Sequence, residues 1–318
     1  MKLLSASAVV TTVALVCWTD SKLDQWEAKQ QDMAVNLLSA AAAGTSAYDP
    51  LQQWDDLPPS VQQYLSHVVP ISTLEQTAAK ALSLHQEGEF LIKKDQYVPF
   101  TATEVFAVSP PGFSWEGKIA MASFAPYWFP KLFVSDSWVE GSGHFQAAVQ
   151  AILPMICLDT SGAGGGESVS FDDQMALGQA TRWLADAVLL PSSLHPNAGM
   201  ATWKAVDDDV PGKAILELPL ANIRGLQLEV TFDNDSGLLT EATAQKPYLL
   251  SNKSDFEIKT WQVNFMDYER QANGMMVPMK MESGWINGEG DFEAHYKIEN
   301  RSLQYHFGAA QEPIVEIA

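Results

Sequence analysis

Positive charge is scarce in this chain: 19 Lys and Arg stand against 39 Asp and Glu in 318 residues, a formal net charge of −20. Binding to a phosphate backbone draws on clustered Lys and Arg, so nucleic acid is excluded as a partner, and so is an anionic membrane held through a basic patch. Cysteine is nearly absent, with Cys17 and Cys157 only, which excludes a disulfide framework. Cys157 sits in the apolar run Leu153–Leu158 with no His close in sequence, and reads as a small buried hydrophobe rather than a nucleophile. The six histidines include no i,i+3 or i,i+4 pair, so local spacing predicts no metal site. The Gly162–Gly166 cluster lacks the Lys-Ser/Thr of a phosphate loop and the Gly-x-Gly-x-x-Gly spacing, and no cofactor is expected. Asp233-Asn234-Asp235 resembles the start of a calcium loop, but Gly237 comes one position early and Ala244 stands where the bidentate Glu belongs, so it reads as a hairpin turn. Asp207–Asp209 before Pro211-Gly212 reads as a solvated turn, the alternative being a weak surface calcium site. Ser142 between Gly141 and Gly143 lies at a strand end, the wrong context for a nucleophile elbow.

Large apolar and aromatic residues are plentiful, at 47% hydrophobic with ten tryptophans, enough to build a sizeable core. Lys2 precedes an uncharged run from Leu3 to Trp18, shorter than the ~20 residues that cross a bilayer. We read 1–21 as a signal peptide or short membrane anchor, the alternative being a packed N-terminal helix, and expect an exported or membrane-tethered protein. Residues 22–50 read as a helix and linker, with Leu23, Trp26, Met33, Leu37 and Leu38 among polar positions and a break from Gly44 to Pro50. A single domain is expected over 51–310.

Within that domain Val61, Tyr64, Leu65 and Val68 make one helical stripe between Pro59 and Pro70. From about Ala78 the period changes to two, and short β-branched and aromatic runs alternate with Gly, Pro, Asn and Asp turns. One helix interrupts them, from about Phe171 to Leu190, with Met175, Leu177, Ala180, Trp183, Leu184 and Val188 on one face and Pro191 at its end. The expected fold class is α+β: a strongly curved antiparallel sheet, an incomplete barrel of ten or more strands, with the central helix on its concave face and N-terminal helices.

Arg182 and Asp186 are four apart on that largely apolar helix, beside Trp183. A packed Arg needs a buried acidic partner, and Asp136 on a strand is the best candidate.

Leu57-Pro58-Pro59, Pro110-Pro111-Gly112-Phe113-Ser114-Trp115, Asp136 to Gly143, Arg182-Trp183, Trp203 and Gly284-Trp285 occur in an order that resembles a widespread, mostly bacterial family of uncharacterised proteins, a domain of unknown function. The resemblance covers about residues 50–305. Asp186 replaces the family's usual Glu, Leu189-Leu190-Pro191 replaces an aromatic-containing version, and the Gly-rich loop looks like an insertion. More distantly, Pro110–Trp115 followed by a strand and an Asp-x-x-x-x-Gly turn is similar to periplasmic lipoprotein carriers. That resemblance implies an incomplete barrel wrapped around helices, with an apolar cavity for acyl chains.

The expectation for function is a protein that binds a lipid or other apolar small molecule between sheet and helix. Trp115, Asp136, Trp138, Arg182, Trp183 and Trp203 are the expected ligand-binding residues, with Trp261 and Trp285 among the rings available to line a pocket. The alternatives are a hydrolase-type enzyme using Asp136, Arg182 or Asp186, and a structural or protein-binding module whose aromatic rings simply fill its core.

Overall fold

The structure, a computed structural model, describes residues 6–44, 53–70, 79–122, 129–160, 171–196, 202–206, 210–218, 225–249 and 256–307. The Gly-rich loop, Asp207–Asp209 and most of the 44–50 break lie outside the described residues.

Thirteen strands form one antiparallel sheet: β1 (Ala81–Lys93), β2 (Gln96–Ala107), β3 (Gly112–Ala120), β4 (Lys131–Val139), β5 (Ser142–Val149), β6 (Leu153–Thr160), β7 (Thr202–Ala205), β8 (Lys213–Glu217), β9 (Gln227–Phe232), β10 (Leu239–Leu249), β11 (Phe256–Arg270), β12 (Met276–Ile286) and β13 (Phe292–His306). Their spatial order is β6-β5-β4-β3-β2-β1-β13-β12-β11-β10-β9-β8-β7. Two meanders therefore meet at the β1–β13 pair, and the chain crosses from one edge of the sheet to the other between β6 and β7. That crossing carries α3 (Phe171–Asp186), followed by 3-10 turns at Ala187–Leu189 and Pro191–Leu194. The turns follow their residues: Ser236 N–H donates to Asp233 Oδ1 at 2.8 Å and Gly237 takes φ 68°, closing the β9–β10 hairpin that the sequence reading expects there.

The two faces of the sheet are covered differently. On β2, Phe100, Ala102, Glu104 and Phe106 point one way, and on β3 Phe113, Trp115, Gly117 and Ile119 join them in the main core. Trp183 of α3 stacks on Phe106 with ring centroids 5.1 Å apart and lies 6.1 Å from Trp138. Opposite, Val105 and Ala107 of β2 meet Leu37 and Ala41 of α1 (Ala6–Ala43), and Phe133 of β4 meets Trp26. The α1 helix is thus continuous through the expected boundary at residue 21, and its docking residues lie between Leu23 and Ala41. Helix α2 (Pro59–Val68) opens with Pro59 in its first turn and buries Val61, Tyr64, Leu65 and Val68. Among the described residues, no helix is long and apolar enough to cross a membrane.

One local irregularity decides which side chains β13 gives to the core. Its register against β1 shifts between His85 and Gln86, so that His85 pairs with Ser302 and Gln86 with Asn300, leaving Arg301 as the extra residue of a bulge. Side chains alternate strictly along a strand, so this single residue changes the phase. Leu303 and Tyr305 on one side of it and Tyr296 and Ile298 on the other then all pack on the same core. Asn300 is itself buried, so the Asn300-Arg301-Ser302 sequon is closed to glycosylation once the chain has folded.

Cys157 corrects the sequence reading: it is exposed. The apolar run that suggested burial became β6, an edge strand on which Leu153 and Met155 are exposed too.

Candidate functional site

Between α3 and the sheet lies a cavity of about 190 Å³. Its apolar walls are Trp115, Trp261, Trp285 and Tyr296 with Met281 and Ile298, and its charged end holds Asp136, Arg182, Asp186 and Lys246.

Trp115 owes its place to Gly117 two residues on. A Cβ at Gly117 would collide with the Trp115 ring, so the indole can lie across that bare backbone and no other residue fits there. Trp115 Nε1 donates to Gln86 Oε1 at 2.9 Å, Gln86 Nε2 to Asn300 Oδ1 at 3.1 Å, and Asn300 Nδ2 to the Pro278 carbonyl at 3.1 Å. This relay of amides ties β3 to β1, β13 and β12, and the bulge at Arg301 is what brings Asn300 into it.

The charged end is organised around Arg182. Its Nη1 donates to Asp136 Oδ2 at 2.9 Å, Nε to Asp186 Oδ2 at 3.2 Å and Nη2 to Glu104 Oε2 at 3.4 Å. The guanidinium also sits 4.7 Å from the Phe113 ring centroid and 5.2 Å from that of Trp115. Asp136 uses its second oxygen too, accepting from Gln179 Nε2 at 2.8 Å. Gln179 reaches it over Gly143, where any Cβ would strike the amide. Burial pushes the Glu104 carboxyl up to about 8, with Arg182 pulling against it and Asp186 and Asp136 adding to it. Burial also raises Asp186, and three acids hold Arg182 firmly protonated.

Lys246 enters from β10, in phase with the buried Ala242 and Ala244. Its ammonium lies 4.0 Å from the Trp261 ring centroid, and burial pulls it down to about 8, with Arg182 acting in the same direction. Burial raises Tyr296 to about 12, so it stays a hydrogen-bond donor.

Of the residues expected from sequence, Trp115, Asp136 and Arg182 line the cavity, and the Arg182–Asp136 pair forms as read. Trp138, Trp183 and Trp203 lie in the core, each 2% exposed or less, outside the lining. Trp183 Nε1 donates to the Ala107 carbonyl and Trp203 Nε1 to the Leu194 carbonyl, both at 2.9 Å. Sequence reasoning missed Glu104, Gln86, Lys246 and Tyr296. Glu104 and Lys246 carried a signal, since each is a charge placed in the inward phase of a strand, beside Ala102 and Phe106 or Ala242 and Ala244.

Away from the cavity, His144, Cys157 and Asp159 on β5 and β6 place one potential metal-ligand atom each within 4.8 Å of one another. His144 Nδ1 and Asp159 Oδ1 are already 2.5 Å apart and Lys29 Nζ stands 3.5 Å from His144 Nε2, so both ring nitrogens have a partner.

A family model described as a family of unknown function, DUF6920, matches residues 55–305. The chain belongs to that family. No curated protein matches it. Among solved structures it is similar to a putative outer membrane lipoprotein-sorting protein domain from Vibrio parahaemolyticus, at 9% identity and a TM-score of 0.38 over 78% of this chain and 95% of that one. A LolA superfamily protein from Nitrosomonas europaea follows at 8% identity and 0.36, over 74% and 92%. A DUF1329 family protein from Desulfovibrio piger stands at 11% and 0.34, over 76% and 95%.

Proposed function

We propose that this member of DUF6920 binds a lipid or other apolar small molecule in the cavity between α3 and the sheet. The observation that carries this reading is the lining itself: four large aromatic side chains, Trp115, Trp261, Trp285 and Tyr296, border unfilled space, Trp115 and Tyr296 meeting edge to face at its wall. Close-packed cores rarely leave voids much larger than a water, and a mostly apolar pocket with a few convergent polar groups is the usual form of a ligand site.

The finer architecture belongs to the same reading, with α3 on the concave side of the sheet. It is supported by the contacts of α3, which touches both β4 and β10. Those strands are seven places apart in the sheet order, about 34 Å if the sheet were flat, whereas a helix is only about 10–12 Å across. The expectation of export also stays in force, with 1–21 as the signal peptide or short anchor; N-terminal sequencing of the mature protein tests it, and an intact Met1 in a cytosolic fraction would overturn it.

Native mass spectrometry of protein purified from its own host, followed by lipid extraction, tests the binding. A co-purifying apolar molecule, or a change in tryptophan emission on adding fatty acids of graded length, is expected. A chain that carries nothing and does not respond to any of them would overturn the proposal.

A further inference from the structure

The charged end of the cavity is unevenly satisfied, and the imbalance names the head group of the ligand. Arg182 spends Nε, Nη1 and Nη2 on the carboxyl groups of Asp186, Asp136 and Glu104, and Asp136 spends both oxygens. Asp186 spends Oδ2 on the same guanidinium. Lys246 has three N–H donors and none is used: among the described residues no carboxylate lies within 4.0 Å of Nζ and no hydrogen bond reaches it. Its one close companion is the face of Trp261. Asp136 and Asp186 act on Lys246 from beyond contact distance and are themselves engaged by Arg182, so an anion arriving at Nζ would be its direct partner in a charge-assisted hydrogen bond.

The volume limits the rest of the molecule. About 190 Å³ is a little more than the ~150 Å³ of an apolar cavity that holds a benzene ring. We infer that the site selects a small amphipathic acid, a carboxylate seated on Lys246 with an apolar body of about six carbons against Trp115, Trp261, Trp285 and Met281. This rests on the proposed binding function and adds its chemistry: the charge of the head and the length of the body.

Hexanoate, hexan-1-ol and hexylamine, titrated into the full chain at neutral pH and followed by tryptophan emission and calorimetry, separate the two levels. Hydrogen bonds to a charged group contribute about 1.5–3 kcal/mol, so hexanoate should bind roughly ten- to a hundredfold more tightly than hexan-1-ol. In Lys246→Met the acid should fall to the level of the alcohol, while Lys246→Arg should keep the preference for the acid. Dodecanoate should bind no more tightly than hexanoate. Equal affinity for acid and alcohol in the unmodified protein, or tighter binding of the amine, would overturn the head-group inference and leave the binding function standing. Tighter binding with each added methylene up to dodecanoate would overturn the size limit. If none of the ligands binds the folded protein, both readings fall together. Should Lys246→Met not fold, the ligand series in the unmodified protein still decides.

Discussion

The indole of Trp115 lies across the bare backbone of Gly117 on the same strand, and this contact gives the cavity one of its walls. Adding a methyl group at Gly117 forces the ring off its seat and off its hydrogen bond with Gln86. Gly117→Ala should therefore destabilise by about 1–3 kcal/mol, the usual range for overpacking, and weaken ligand binding at the same time. Because the clash is with one ring, Trp115→Leu should relieve it. The double variant should be more stable than the sum of the single changes allows, by at least 1 kcal/mol in urea unfolding. Strict additivity would show that Gly117 acts elsewhere.

Glu104 predicts a pH dependence with a definite sign. Its side chain is 1% exposed and burial raises its carboxyl from 4.5 to about 8. The folded chain therefore keeps a proton that the unfolded chain has given up across that window. Stability from this group is fully present below about pH 4.5 and is lost progressively as the pH rises to about 8. Glu104→Gln keeps the neutral shape, so it should be tolerated at neutral pH and should flatten the fall in urea midpoint between pH 5 and 8. Lys246, lowered from 10.5 to about 8, has the opposite sign in a different window: its contribution is lost as the pH falls from about 10.5 to 8. An unchanged profile in Glu104→Gln would mean that the carboxylate is ionised in the fold.

Two buried tryptophans of similar environment should respond differently to loss of their N–H. Trp183 Nε1 donates to the Ala107 carbonyl, whereas Trp138 Nε1 is buried with no hydrogen-bond partner among the described residues. Phe at 183 removes a satisfied hydrogen bond, and Phe at 138 removes an unsatisfied donor, which offsets part of the lost packing. Trp183→Phe should thus cost about 2 kcal/mol more than Trp138→Phe. Equal costs in chemical denaturation would show that volume alone governs both sites.

The hairpins, α3 and the Arg182–Asp136 pair were legible because each depends on local chemistry or on a strong local anomaly. Asp233 and Gly237 dictate a turn wherever they occur, and an Arg on an apolar helix face demands an acid. The rest of the cavity was not legible: Gln86 and Tyr296 converge from strands whose neighbours are set by topology, and the inward charges of Glu104 and Lys246 mark a site without naming what they face. The bulge at Arg301 is a further obstacle: it reverses the alternation of β13 without any glycine or proline to announce it. Nor does an aromatic residue declare whether it fills space or borders it. Trp115 and Trp138 lie on the neighbouring strands β3 and β4, yet Trp138 is sealed in the core while Trp115 borders the cavity.

Cys157 offers a direct check on the edge of the sheet. An apolar run would have hidden its thiol in a central strand, but β6 has a neighbour on one side only, and Leu153, Met155 and Cys157 are all exposed. Thiol accessibility tracks that placement, because a buried thiol reacts only when the chain opens. The native protein should therefore react with 5,5′-dithiobis(2-nitrobenzoate) without denaturant, and Cys157→Ser should lower that signal by one thiol per chain while leaving the stability within about 0.5 kcal/mol, as for other exposed substitutions. A thiol that reacts only in urea would put β6 inside the fold and would require another strand as the edge.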